Sequence, residues 1–451
     1  MSKLEKNLTE GNVVKQLLMF ALPFMLSNLV QSLYNVADML IVGRYNGAIG
    51  ISGVNIGGQV TFLMTNIVIG LCTGATVVIA QYLGIDDKKA IKETMGTLLT
   101  TLLVVGIFLS ALMLIISTPI LHIMKTPEES FMEARGYLDI TILGTLFIFG
   151  YNALSAVMRG MGDSRRPLYF VTIACVCNIA LDFLLVGGLH MGARGAAIAT
   201  VISQGLSMAL CIIYLKRNDF VFDFKLSSFR FHQERLNILL KIGIPTSIQN
   251  VINNLSFLVM TAVVNDFGVM ASAAVGVVGK FNSFAILPGI AVGSSISAMA
   301  AQNIGAGRND RARHTLKTGL VLANCISIPI FLLAFFFPEP IIRVFSDEPE
   351  MIQAGAVYMG TFCFDYLLAP CVFCIAGIIT GAGHTKVSST ISILSAVGLR
   401  IPIAILCGTV LDMGLSGVGL GAPLASGGAL LFALYYYLSG KWETSAVLSL
   451  G

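Results

Sequence analysis

Apolar runs long enough to cross a bilayer alternate with short polar or charged breaks along the whole chain. A spanning helix needs about 20 mostly apolar residues. In the first half such runs fall near 17–43, 53–81, 95–118, 136–159, 167–187 and 194–215. In the second half they fall near 238–264, 271–301, 315–337, 353–380, 388–409 and 416–439. Charged residues, Gly and Pro punctuate the gaps, as expected where helices end. The pattern predicts an all-α membrane protein with twelve transmembrane helices.

Composition agrees with the pattern. Of 451 residues, 56% are hydrophobic and 12% charged, where soluble domains carry about 25% charged residues. Twelve spans with short loops use up the length and leave no room for a soluble domain. The opening stretch, MSKLEKNLTEGNVVKQ, lacks the basic, apolar and small-residue regions of a cleavable signal, so the first span is expected to be retained. Neither end carries a lipidation motif. With the N-terminus inside, 21 of the 28 Lys and Arg fall on inner segments and 5 on outer loops. That bias predicts two cytoplasmic termini.

The halves repeat at an offset of 221–222 residues. Leu18 to Pro23 (LMFALP) recurs as Leu240 to Pro245 (LKIGIP), and Ala80 to Gly84 (AQYLG) as Ala301 to Gly305 (AQNIG). TPILHIM from Thr118 returns as EPIIRVF from Glu339, RGMGDS from Arg159 as TGAGHT from Thr380, and MGARG from Met191 as MGLSG from Met413. An even number of spans per half gives both copies the same orientation. The expectation is two six-helix lobes, 1–215 and 238–451, joined by a polar cytoplasmic linker, 216–237. They would be related by a pseudo-twofold axis along the membrane normal, with the substrate path between them.

Several motifs carry a resemblance that covers essentially the whole chain. They are LPF at Leu22–Phe24, YNVADMLIVGRYNG from Tyr34, the Gln-x-x-Gly span ends at Gln81 and Gln302, and RGMGDSRRP from Arg159. The most specific are NIALDFLLVGG from Asn178 and GARGAAIAT from Gly192. The chain resembles the multidrug and toxic compound extrusion (MATE) transporters, and acids placed in the first lobe look like the DinF-like branch. The resemblance implies export of drug-like, often cationic organic compounds by antiport with H⁺ or Na⁺. It further implies alternating access between the lobes and no cofactor beyond that coupling ion. A monomer in a bacterial or archaeal inner membrane, contacting lipid and small molecules but no nucleic acid, is the matching expectation.

Ionisable groups inside spans are costly and are functional suspects by default. Asp38 lies six residues before Arg44 at the outer end of the first span, and Asp182 about five before Gly187, so both sit roughly 8–9 Å below the outer face. Thr200 on the returning sixth span has similar depth. Tyr34 and Asn178 precede the acids by four residues and share their helix faces. In the family, residues at these positions form a first-lobe cation or proton site. The resemblance thus assigns coupling to Tyr34, Asp38, Asn178, Asp182 and Thr200, with Na⁺ able to use the oxygens of Asp38, Asn178, Asp182 and Thr200. The repeat supplies a control. Its offset of 222 sets Met260 against Asp38, Ala404 against Asp182 and Arg400 against Asn178, so the acids belong to one copy alone. A purely structural acid pair is the alternative. Close carboxylates in a poorly hydrated lobe cannot both ionise cheaply, and a proton or Na⁺ relieves the repulsion. Pro23 lacks an N–H and offers a hinge that could transmit the change.

In the second lobe, Asp365 lies about one turn from where other branches of the family place an acid, and Lys280 and Arg400 are the basic residues of the spans. Structural pairing and substrate contact are both open for Asp365, Lys280 and Arg400. Met64, Phe281 and Phe284 are candidate linings of an adaptable greasy cavity. The nine cysteines lie in apolar stretches; Cys371 and Cys374 form a lone CxxC without the further ligands a metal site needs. Gly417, Gly419 and Gly421 suit close helix packing. No HExxH, GxSxG or Walker motif is present, which argues against an enzyme or an ATP-driven pump. The remaining rival is a flippase or exporter of lipid-linked or polysaccharide precursors; a channel would not require one-sided acids.

Overall fold

The computed structural model describes residues 6–218 and 220–449. Among them the chain is 86% helical and contains no strand. The first helical run, Val13–Gly84, breaks at Gly47, whose φ of 62° and ψ of −158° are outside helical space. A side chain would strain there, and glycine tolerates it. The break divides the run into α1 (13–46) and α2 (48–84). Then follow α3 (Lys88–Ile123), α4 (Glu128–Leu143 and Thr145–Gly160, bent by 53°), α5 (Arg165–Gly188) and α6 (Gly192–Arg217). The second half has α7 (Gln233–Asn265), α8 (Val269–Gly305), α9 (Asn309–Phe336), α10 (Pro349–Phe362 and Asp365–Gly381, bent by 45°), α11 (Thr385–Val410) and α12 (Gly414–Leu438). The twelve apolar runs read from the sequence lie in these twelve helices to within one residue at each end. The helices mostly run further at one or both ends; at α3 a polar cap contributes, since Asp87 accepts from the Ala90 N–H at 2.9 Å and the helix starts seven residues before its apolar run.

The repeat is written into the backbone. Gly47 and Gly268 break successive spans with φ of 62° and 97°; Gly162 and Gly383 turn at 84° and 88°, and Gly192 and Gly414 at 58° and 60°. Helix α5 ends in a wide π turn, Phe183–Gly188, and α11 in another, Leu406–Val410. The glycine pairs keep the sequence offset, and the two π turns end at it.

Two compact units emerge, and each takes a segment from the opposite half of the chain. The first is built on Leu26–Gly243, the second on Leu8–Met25 with Ile244–Leu450. These differ from the expected lobes, 1–215 and 238–451, at the starts of α1 and α7. In the second unit Leu17, Phe20 and Ala21 are buried in a core with Ile296, Met299, Ile378 and Trp442. Polar contacts fix the same segment: the Leu8 N–H donates to Gln302 Oε1 at 3.0 Å, and Arg311 donates to the Leu8, Glu10 and Gly11 carbonyls. The Gln-x-x-Gly motif at Gln302 is therefore an anchor for the start of α1. In the first unit the start of α7 is held by Arg235, which reaches Glu93 at 3.2 Å and the Tyr82 hydroxyl at 2.7 Å. Gly243 there packs backbone to backbone against Gly74.

Helix α10 crosses α8 so closely that a Cβ on Gly381 would stand 2.6 Å from the Ser297 carbonyl oxygen. A Cβ on the equivalent Gly160 would stand 2.9 Å from the Thr76 carbonyl oxygen. Backbone cannot retreat as a side-chain tip can. Gly381→Val is expected to cost about 3 kcal/mol through overpacking, read as a lowered unfolding temperature and poorer recovery of monodisperse protein.

Candidate functional site

The first unit gathers five polar side chains from α1, α5 and α6. Asp38, Asn178, Asp182 and Thr200 are buried, at 4%, 0%, 0% and 7% exposure, and Tyr34 is half-buried. The Tyr34 hydroxyl donates to Thr200 Oγ1 at 3.1 Å and so ties α1 to α6. Asn178 and Asp182 lie one turn apart on α5. The Asn178 amide is assigned with its NH₂ donating to Asp182 Oδ2 at 3.0 Å and its oxygen accepting from the Thr200 N–H at 3.2 Å. The reverse orientation would set the amide oxygen against a carboxylate. The Asp38 and Asp182 carboxyls are near enough to share a hydrogen bond, which requires a proton on one of them.

Local sequence explains the convergence. Asp182 is the last residue before the π turn Phe183–Gly188, a distortion that recurs at functional sites because it re-aims the side chains around it. Small residues at Gly192, Ala193, Gly195, Ala196 and Ala197 let α6 pack tightly in the core that holds Val186. A sixth group completes the site. Tyr137 of α4 is buried, its ring packs in the core with Ile41 and Val42, and its hydroxyl is within electrostatic range of Asp38 and Asp182. Hydropathy does not single out Tyr137, although the repeat sets Tyr358 opposite it.

Asp38 Oδ1 and Asp182 Oδ1 are buried and accept no hydrogen bond from any N–H or hydroxyl of the protein. Native interiors rarely leave such atoms unmet without a functional reason. The donor set consists of hard oxygens: two carboxyls, an amide, one hydroxyl and two phenols. Among the described residues no cluster of three or more His, Cys, Asp or Glu exists. Such a site is suited to a proton or a small hard cation and not to a soft transition metal.

The second-unit candidates separate. Asp365 and Arg400 line one chamber of about 340 Å³. Lys280 is exposed and Phe284 is 48% exposed, and neither lines it; Phe281 packs edge-on against Tyr366 in the neighbouring core. Met64 is buried in the first unit. Hydropathy places a residue in a span but does not say which face it occupies. Pro23 is buried inside α1, two residues before Met25, where the second unit's share of that helix ends.

A family model described as MatE matches residues 23–184 and 245–406. The chain belongs to the MatE family. The matched stretches repeat the internal offset of 222 residues at both ends, so each copy of the repeat is one MatE unit. Among similar proteins is "Probable multidrug resistance protein YpnP" of Bacillus subtilis (strain 168), 30% identical over 96% of this chain and 97% of that one. "Probable multidrug resistance protein NorM" of Thermotoga maritima is 27% identical over 96% and 94%. A solved structure described as the outward-facing conformation of a multidrug resistance MATE family transporter superposes with a TM-score of 0.89, at 20% identity and 98% coverage of both chains. That likeness gives the twelve-helix, two-lobe MATE fold to this chain. The family is one of membrane transporters.

Proposed function

We propose that this MatE protein is a secondary active multidrug exporter that moves drug-like, often cationic compounds by antiport with H⁺ or Na⁺, with both termini cytoplasmic. The observation that carries the reading is the buried acid pair, Asp38 with Asp182, present in one copy of the repeat and absent from the other. A pure scaffold role would be needed in both copies. In the loaded state a proton or Na⁺ neutralises the facing carboxyls; in the emptied state repulsion and desolvation drive Tyr34, Asp38 and the rest of α1 away from α5 and α6. Because α1 passes through Pro23, where one backbone hydrogen bond is missing, the shift is carried along the helix as a bend. Loading and emptying thereby bias the protein between outward-open and inward-open states.

Purified protein in liposomes tests this. Ethidium movement is followed with a pH gradient and a Na⁺ gradient imposed separately. One of the two gradients is expected to drive ethidium above the rate of protein-free vesicles. Ethidium movement that neither gradient accelerates would overturn the reading.

A further inference from the structure

The repeat places something in the second unit at the very position of the acid site. Offsets of 221–222 convert Asp38, Tyr137, Asn178 and Thr200 into Met260, Tyr358, Arg400 and Ala422. All four of those residues line the chamber of about 340 Å³ in the second unit. The chamber is thus the pseudo-equivalent of the first-lobe site with its polarity rewritten. The two acids are gone, a guanidinium stands where the amide was, and one new carboxyl, Asp365, enters from α10.

The backbone is distorted at Arg400. Residues Leu394–Arg400 form a π-helical stretch immediately before Ile401–Ile405. The matching part of α5, about 172–178, is ordinary α-helix. An inserted π turn rotates the side chains that follow it, so the distortion special to this copy sets the direction of Arg400. The guanidinium lies over the Phe257 ring, 5.3 Å from its centroid, and Phe257 also lines the chamber.

The charges are not consumed by the protein. Asp365 is 6% exposed, Ser426 lines the same chamber, and Asp365 Oδ1 has no partner. Arg400 Nε is likewise buried without a partner. The two residues feel one another electrostatically, but no ion pair within the usual 4 Å joins them among the described residues. The side-chain oxygens of Asn253 and Asn282 on the same walls are unmatched as well. Opposite charges held apart in one desolvated chamber are costly unless a ligand meets both.

We infer that the second-lobe chamber is a binding site for amphoteric compounds, the ligand's carboxylate or other anionic group meeting Arg400, its ammonium meeting Asp365, and its aromatic body lying by Phe257 and Tyr358. The site stands apart from the coupling reading, since it needs no gradient.

Three fluorescent probes of nearly equal size test it on full-length protein in detergent: a piperazinyl quinolone acid, its ethyl ester and its N-acetyl derivative. The acid carries both charges, the ester only the cation, the acetyl compound only the anion. Fluorescence anisotropy is expected to rank the zwitterion about tenfold tighter than either analogue, the order of one charged hydrogen-bonded contact. Arg400→Gln should lower zwitterion affinity to that of the ester and leave ester binding unchanged. Asp365→Asn should lower it to that of the acetyl compound. Size-exclusion elution checks folding. Where a variant misfolds, the wild-type ranking decides, and equal affinities for the three probes would overturn the proposal. So would binding that Asp182→Asn abolishes and Arg400→Gln spares, because the ligand would then sit in the first lobe.

Discussion

Asp182→Asn is expected to reduce gradient-driven efflux to the rate of protein-free vesicles while leaving a folded protein. The substitution keeps the shape of the side chain and removes its ability to hold a negative charge. Asp182 is fully buried, and its Oδ2 already accepts from Asn178. An asparagine can keep that contact with its carbonyl oxygen and turn its NH₂ toward Asp38. The hydrogen bond between α1 and α5 then exists permanently, without an incoming proton. Changes of about 1 kcal/mol in stability are the scale for such an exchange of hydrogen bonds, so the unfolding temperature should move by only a few degrees. What disappears is the alternation between a pair that repels and a pair that does not. Ethidium efflux in liposomes, with unfolding temperature measured on the same preparation, separates the two effects. Wild-type efflux from a folded Asp182→Asn protein would remove this carboxyl from the coupling scheme.

The fold was largely legible because lipid imposes a harsh rule: every spanning segment must satisfy its own backbone, so the twelve apolar runs had to be helices. The acids were legible for the same reason, since Asp38 and Asp182 stand out in apolar surroundings. Three features were not. Tyr137 looks like an ordinary aromatic at the start of a span, and only its pairing with Tyr358 across the repeat distinguishes it. The anchoring of the segment before α1 is a second: Gln302 accepts from the Leu8 N–H, and Arg311 donates to the Leu8 and Gly11 carbonyls. Residue type does not encode those contacts locally. Lys280 and Arg400 are both basic residues in spans, yet one is exposed and the other lines a chamber. A π turn decides the direction of Arg400, and such an insertion leaves no mark in hydropathy.

That contrast between copies yields a sharper test than deletion of an acid. Asn178→Arg gives the first-lobe site the residue that the repeat already carries at Arg400. A guanidinium at this point lies one helical turn from Asp182 and within reach of Asp38, so under the proposed coupling it supplies internally the positive charge otherwise taken from a proton or Na⁺. Arg cannot release its proton under any working condition, and the site would be held in its compensated state. Efflux is expected to fall to background with either gradient. Asn178 has no exposed surface, so the longer side chain should cost about 1–3 kcal/mol in overpacking, offset in part by two charge-assisted hydrogen bonds to the acids. Asn178→Leu provides the comparison: it crowds the site without a charge, leaves the carboxyls able to bind and lose an ion, and should retain part of the efflux. Gradient-driven transport by Asn178→Arg at the level of Asn178→Leu would mean that a fixed positive charge does not replace the coupling ion, and the link between charge and conformation would fail with it.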